Sequence, residues 1–190
     1  MILLKFVYWA GLVIEIVVRY PFQQTRRTQV KSEDHNSRTE RVLLVLLTLT
    51  LIPPLIYTLT PWLDFANYSL PPWLGWLGVV VYAFGLYLFA RAHADLKSNW
   101  SPMLQIFEGH RLVTNGIYGT IRHPMYASQG VMAVAQALLL QNWLAGPIAL
   151  VFFVPFYVLR VQAEEKMMLE TFGEEYRQYM QKTGNVIPRL

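Results

Sequence analysis

Apolar positions in this chain come in long runs rather than in alternating or three-four patterns. Ile2–Phe22 is apolar apart from Lys5, Glu15, Arg19 and a few uncharged polar residues. Val42–Leu63 and Trp73–Ala90 hold no Lys, Arg, Asp or Glu, and neither does the longer run His123–Leu159. A helix that crosses a bilayer needs about 20 mostly apolar residues. The first three runs therefore predict one crossing each, over 2–22, 42–63 and 73–90. The last run is too long for one crossing. "QNWLAGP" (Gln141–Pro147) interrupts it with polar and turn-forming residues, which predicts a hairpin of two short spans over 125–141 and 146–160. Within the first span Glu15 and Arg19 share a helical face and can pair, with Arg19 snorkelling toward the interface. Pro53 and Pro54 predict a kink in the second, tolerated because neighbouring helices satisfy freed backbone groups.

Beyond these runs the pattern changes once. In "AEEKMMLETFGEEYRQYMQKTG" (Ala163–Gly184), Leu169, Phe172, Tyr176, Tyr179 and Met180 recur at three-four spacing, and acids crowd the first turn. That predicts an amphipathic helix whose dipole the acids complement, ended by Gly184. The expected fold class is all-α: a polytopic integral membrane protein with five transmembrane helices and a cytoplasmic C-terminal amphipathic helix. There is no internal repeat or inter-domain linker, so residues 1–190 form one domain.

Composition agrees with a membrane protein. Only 15% of the 190 residues are charged against 54% hydrophobic, where soluble domains run to about 25% charged. Cysteine is absent, which excludes disulfides, thiolate metal sites and a Cys nucleophile. The N-terminus has no basic stretch before its apolar run and no small-residue cleavage motif, so it is expected to be a retained span rather than a signal peptide. The pI of 9.4 does not point to nucleic acid, because the basic residues mark loops instead of one polar segment. Arg26, Arg27, Lys31, Arg38 and Arg41 lie in 23–41; Arg91, Lys97, Arg111 and Arg122 lie in 91–122; Arg160, Lys166, Arg177, Lys182 and Arg189 lie in the tail. The alternate loops, Asp64–Pro72 and Gln141–Gly146, hold no Lys or Arg. By the positive-inside rule the N-terminus is outside and the C-terminus cytoplasmic, in the inner membrane of a prokaryote or the endoplasmic reticulum of a eukaryote.

Candidate chemistry gathers on that cytoplasmic side. The hairpin must bring "RHPMY" (Arg122–Tyr126) close to "RVQAEE" (Arg160–Glu165), since short antiparallel helices place their outer ends together. Each residue has a plain reading. Arg122 can anchor the membrane face, Pro124 suits a first helical turn, and Glu164 and Glu165 can complement a helix dipole. Arg160 is harder to dismiss, because an ionisable group at membrane depth costs about 2.5 kcal/mol or more and points to function. No phosphate-binding glycine loop, metal-ligand spacing or nucleophile elbow is present. What remains is a lip of both charge signs above an apolar interior. It suits a charged, adenosine-sized cofactor on the water side and a lipophilic substrate on the membrane side.

Three stretches carry a resemblance: "GHRLVTNGIYGTIRHPMYA" (Gly109–Ala127), "RVQAEEKMMLETFGEEYRQYMQKTG" (Arg160–Gly184) and the closing "NVIPRL". The C-terminal half resembles the isoprenylcysteine carboxyl methyltransferases, in the compact five-span form found in prokaryotes. The resemblance implies S-adenosylmethionine as methyl donor, S-adenosylhomocysteine as product and no metal. It implies a prenylated cysteine or other lipophilic acceptor. By match to the motifs, Gln105, His110, Arg111, Leu112, Val113, Tyr118, His123, Pro124, Met125, Tyr126 and Glu164 would bind the cofactor. Arg160 would bind the substrate, with Arg160 and Glu164 serving catalysis. Gln105 stands closer to His110 than in the family, and Gln162-Ala163 replaces residues that are often acidic or Pro. Phospholipid N-methyltransferases, small-thiol S-methyltransferases and NADPH-dependent membrane reductases share parts of this pattern, and a non-catalytic scaffold is the alternative of another class.

Overall fold

The computed structural model describes residues 2–27, 31–34, 38–107 and 109–189. Helices α1 (Ile2–Arg27), α2 (Arg38–Leu49), α3 (Ile52–Leu59), α4 (Pro72–Leu96), α5 (Pro124–Leu140) and α6 (Ile148–Lys182) make up most of the fold. Strands β1 (Lys31–Asp34) and β2 (Gln105–Phe107) pair antiparallel, with Glu33 opposite Ile106 and Asp34 opposite Gln105. This small ribbon departs from an all-α expectation. Much of the basic loop over 23–41 falls on residues or side chains outside those described.

Arg41–Leu59 and Pro72–Asn99, with mean hydropathy 2.3 and 1.7, are long and apolar enough to cross a membrane. The first of these is broken rather than bent: α2 stops at Leu49, and α3 restarts at Ile52 with proline in its first turn. Proline suits a first turn because its missing N–H would have no intrahelical partner there. Helix α4 reaches six residues past the expected 73–90 boundary, to Leu96.

The core forms where α4 lies along α5. Gly78 and Gly85 of α4 are buried there, and an added Cβ would stand 2.8 Å from Leu138 Cβ and 2.5 Å from Met132 Cγ. Small residues let two helical backbones approach closely. Tyr8 of α1 with Tyr82, Phe89, Met132, Leu139 and Leu140 completes this core. Meanwhile Ile2, Phe6, Ile16 and Val17 of α1, Val80 and Phe84 of α4, and Val151 and Val154 of α6 point outward. Apolar surface on that scale marks contact with lipid or a partner.

The α5–α6 hairpin turns where the sequence places it. Gln141 closes α5 in the left-handed region, φ 48°. Asn142, fully buried, accepts from the amides of Leu144 (3.1 Å) and Ala145 (3.0 Å) and donates to Leu63 O (2.7 Å). One side chain thus satisfies the backbone of the turn and ties it to the segment after α3. The expected fifth span and separate amphipathic helix form one element, α6, interrupted only at Gly173, φ 51°. Gly173 supplies the turn because a side chain disfavours that conformation.

The expected Glu15–Arg19 pair attracts across one helical turn without closing as a direct ion pair among the described residues. Glu15 accepts from Tyr82 Oη at 3.2 Å, while the Arg19 guanidinium lies over the rings of Phe89 (5.2 Å) and Trp100 (5.8 Å).

Candidate active site

Residue by residue, the start of α5 and the middle of α6 form one polar network. Pro124 occupies the first turn of α5, and His123 stands at its N-cap position. The C-terminal segment straps this corner: Arg122 N donates to Gly184 O (2.9 Å), His123 N to Asn185 O (3.0 Å), and Gly184 N to Thr120 O (3.1 Å). These bonds satisfy backbone groups just outside α5 and fix where its first side chains point.

Arg160, 7% exposed, donates from Nε to Tyr126 Oη at 2.8 Å and from Nη2 to Pro102 O at 2.6 Å. Tyr126 Oη in turn donates a hydrogen bond to Glu164 Oε2 at 2.6 Å. The hydroxyl therefore bridges a guanidinium and a carboxylate from separate helical turns. His123 Nε2 lies 3.1 Å from Glu165 Oε1, and its Nδ1 is 3.6 Å from Glu164 Oε1. Arg122 adds Nε to Glu165 Oε1 at 3.1 Å and Nη1 to the carbonyls of Met180 (3.2 Å) and Thr183 (2.6 Å). Two arginines and one histidine so offset two glutamates at the hairpin's open end, with one positive charge in excess.

That balance sets the charges. Burial pulls the His123 imidazole down, but the interactions with Glu164 and Glu165 outweigh it and raise its pKa to about 9. It is an imidazolium at neutral pH and cannot serve as a base. Burial pushes Glu164 up; His123, the Tyr126 hydroxyl and Arg160 together hold it below the usual carboxylate range. Glu165 is also lowered, chiefly by its bond to His123. Both remain carboxylates. His110 is different: burial lowers its pKa, so its imidazole is neutral.

The network borders a cavity of about 190 Å³. Gln105, His110, Arg111, Leu112, Val113, Tyr118, His123, Met125, Tyr126, Arg160 and Glu164 line it together. Pro124 does not: it is fully buried beneath the wall, and its contribution is to the helix start. The 3₁₀ turn Gly116–Gly119, which presents Tyr118, is held by Asp95 through Ile117 N at 2.8 Å. Gly116 has φ 59°, and a Cβ there would collide with the Asp95 carboxylate. Tyr179 Oη donates to Tyr118 O at 2.6 Å, locking α6 against the same turn.

Sequence reasoning missed Arg122 and Glu165 as partners, Asp95 as a loop anchor, and Trp100 and Pro102 as wall. Trp100 is 2% exposed and reaches Met125 Sδ from Nε1 at 3.2 Å. Leu44 and Leu47 of α2 and Phe156 of α6 give the cavity an apolar side, and Arg19 of α1 also borders it. Behind Tyr126 runs a second, apolar groove between α4, α5 and α6, floored by Ala127, Gly130 and Val131 and capped by Val186, Ile187 and Pro188.

The arrangement offers a carboxylate beside aromatic rings for a cation, a buried guanidinium for an anion, and an apolar side for a hydrocarbon chain. The sequence model of the isoprenylcysteine carboxyl methyltransferase (ICMT) family matches residues 76–170. A protein-S-isoprenylcysteine O-methyltransferase of Tribolium castaneum is 32% identical over 118 residues, 61% of this chain and 42% of that protein. One of Dictyostelium discoideum is 31% identical over 123 residues, 62% of this chain and 50% of that protein. The chain thus spans about half the length of the curated relatives it matches. A solved structure of the eukaryotic intramembrane Ras methyltransferase ICMT aligns over 95% of this chain and 62% of its own, with TM-score 0.59 and 23% identity. That likeness lies in the fold.

Proposed function

The chain belongs to the isoprenylcysteine carboxyl methyltransferase family, and from that premise we propose that it transfers a methyl group from S-adenosylmethionine to the carboxylate of a prenylated cysteine, at the boundary of membrane and cytosol. The observation that carries the reading is the Tyr126 hydroxyl, which couples Arg160 to Glu164 on the wall of one cavity.

The donor is a cation with an adenosine body. Glu164, a carboxylate whose side chain keeps 30% of its surface exposed, is placed to attract it. The His110–Val113 segment, Gln105, Tyr118 and Met125 would hold the remainder. When bound, S-adenosylmethionine supplies an electrophilic methyl group. The acceptor carboxylate is already ionised at neutral pH, so the site has no proton to remove. The protein's task is to hold carboxylate, methyl carbon and sulfur in line and to keep water out. Arg160 suits the acceptor: held by its bonds to Tyr126 Oη and Pro102 O, it brings a fixed, buried positive charge to the cavity wall where an acceptor carboxylate would sit. Leu44, Leu47 and Phe156 leave an apolar approach for the prenyl chain, which gains about 0.8 kcal/mol per buried CH₂.

Five crossings follow from this reading: α1, the α2–α3 pair, α4, α5 and the first half of α6. The N-terminus is then outside, and the network and tail are cytoplasmic. An amine or thiol acceptor would need a proton acceptor. Burial keeps the His110 imidazole neutral, so that group would have to serve.

The test is transfer of labelled methyl from S-adenosylmethionine by purified protein in lipid. Its acceptors are N-acetyl-S-farnesylcysteine, phosphatidylethanolamine and a small thiol. The farnesylcysteine is expected to be methylated, and Arg160→Ala and Glu164→Ala to abolish transfer while the protein still inserts and purifies. Wild-type turnover in both variants would remove the assigned roles. Exclusive methylation of the amine or thiol would replace the acceptor, and binding of NADPH without S-adenosylhomocysteine would indicate a reductase.

A further inference from the structure

Arg19 lies outside the family match at 76–170, in a helix the motifs do not reach. Yet α1 brings it to the wall of the same cavity as Arg160, 141 positions later in the chain. Its placement is unusual in three respects. No acid closes an ion pair with it among the described residues: Glu15, one turn away on the same helix, attracts it but accepts its hydrogen bond from Tyr82. Its Nε is buried without a hydrogen-bond partner among the described residues. Its guanidinium is seated against the faces of Phe89 and Trp100, and Trp100 in turn reaches Met125 on the cavity wall.

A guanidinium held this way has its plane fixed by the rings while its Nε–H finds no acceptor among the described residues. Burying such donors unpaired is costly; an anion arriving in the cavity would relieve that cost. The lining of the same cavity includes the apolar Leu44, Leu47 and Phe156, with Gln129. The anion in question therefore has a lipophilic body. The acidic groups of the network, Glu164 and Glu165, are engaged by His123, Tyr126 and Arg122 instead.

We propose that Arg19 is a second carboxylate-binding residue, meeting the anionic end of a lipophilic acceptor from α1 while Arg160 meets it from α6. The assignment rests on the methyl-acceptor reading above for its substrate class, but its binding test does not require turnover. Two guanidiniums around one carboxylate would make the site select a lipophilic acid over its neutral analogue. Arg19 makes no hydrogen bond to the Tyr126 bridge, so its loss leaves the Arg160–Tyr126–Glu164 bonds in place.

The test compares binding of radiolabelled N-acetyl-S-farnesylcysteine with that of its carboxamide, to wild type, Arg19→Gln and Arg19→Lys in lipid nanodiscs. S-adenosylhomocysteine affinity is measured in parallel by calorimetry. Wild type is expected to prefer the acid. Arg19→Gln is expected to weaken acid binding by about tenfold, the loss of one charge-assisted contact. It should leave carboxamide and S-adenosylhomocysteine binding within about twofold, and Arg19→Lys should recover part of the preference. Equal acid binding by wild type and Arg19→Gln would overturn the proposal, as would equal losses for acid, amide and S-adenosylhomocysteine, which mark a packing role. Arg19→Lys supplies the comparison if Arg19→Gln does not fold: an unchanged acid preference there, with unchanged acid affinity, would also overturn it. Normal discrimination without methyl transfer by wild type would sink the enzymatic reading and leave Arg19's role standing.

Discussion

Replacing Tyr126 by Phe removes one oxygen and tests whether the bridge between Arg160 and Glu164 matters. The ring would stay, packed edge-on against Phe156 at 6.2 Å and Tyr157 at 5.9 Å, so the hairpin keeps its core. Two hydrogen bonds disappear, at 2.8 Å to Arg160 Nε and 2.6 Å to Glu164 Oε2. Each involves a charged partner and is worth about 1.5–3 kcal/mol, which bounds the joint effect near 3–6 kcal/mol. That bound is not reached, because neighbouring bonds in one network do not add. Glu164 also keeps 30% of its side-chain surface open, so water can replace the lost donor there. Arg160 is the more enclosed partner, at 7% exposure. A net loss of about 2–3 kcal/mol remains, or roughly 30- to 150-fold in kcat/KM. The assay is initial-rate methyl transfer to N-acetyl-S-farnesylcysteine, with S-adenosylhomocysteine binding and thermal unfolding as controls. A folded variant with kcat/KM within about twofold of wild type would refute the argument that this hydroxyl aligns the two charges.

Arg122→Leu should loosen the tail, since Arg122 alone ties Glu165 to the carbonyls of Met180 and Thr183. A cost of about 2–4 kcal/mol follows from those contacts, read as a lower melting point and faster proteolysis after residue 180. Unchanged protection of the tail would contradict it. The pH dependence of stability has two limbs. His123 rises from its ordinary value near 6.5 to about 9 on folding, so its contribution is full below about 6.5 and lost as pH climbs through about 9. Glu164 and Glu165 are lowered, so theirs is full above about 4.5 and lost as pH falls through their folded values. Melting points taken from pH 4 to 10 should be highest between about 5 and 6.5, and His123→Gln should flatten the alkaline limb.

The hairpin and its meeting of Arg160 with the histidine–proline corner were legible because both depend on local facts. An uncharged run of known length and a polar turn force two antiparallel helices, and the ends follow. The break after Leu49 was half legible: proline announced a disturbance, but whether a helix bends there or restarts depends on packing. The β1–β2 ribbon was not legible, since its strands are short and pair across three helices, α2, α3 and α4. Arg122's true partners lie on the tail and α6, and Asp95's on a loop more than twenty residues away. No periodicity encodes such contacts. Arg19 was visible as a charge in an apolar helix, but its seat on Phe89 and Trp100 required the fold.

The most direct measurement is an experimental structure of the protein in lipid with S-adenosylhomocysteine and N-acetyl-S-farnesylcysteine bound together. The account places the sulfur near Glu164, the adenosine against His110–Val113, and the acceptor carboxylate between Arg160 and the apolar side formed by Leu44, Leu47 and Phe156. Either molecule seated away from the Tyr126 bridge, or the two held in cavities that do not meet, would contradict it.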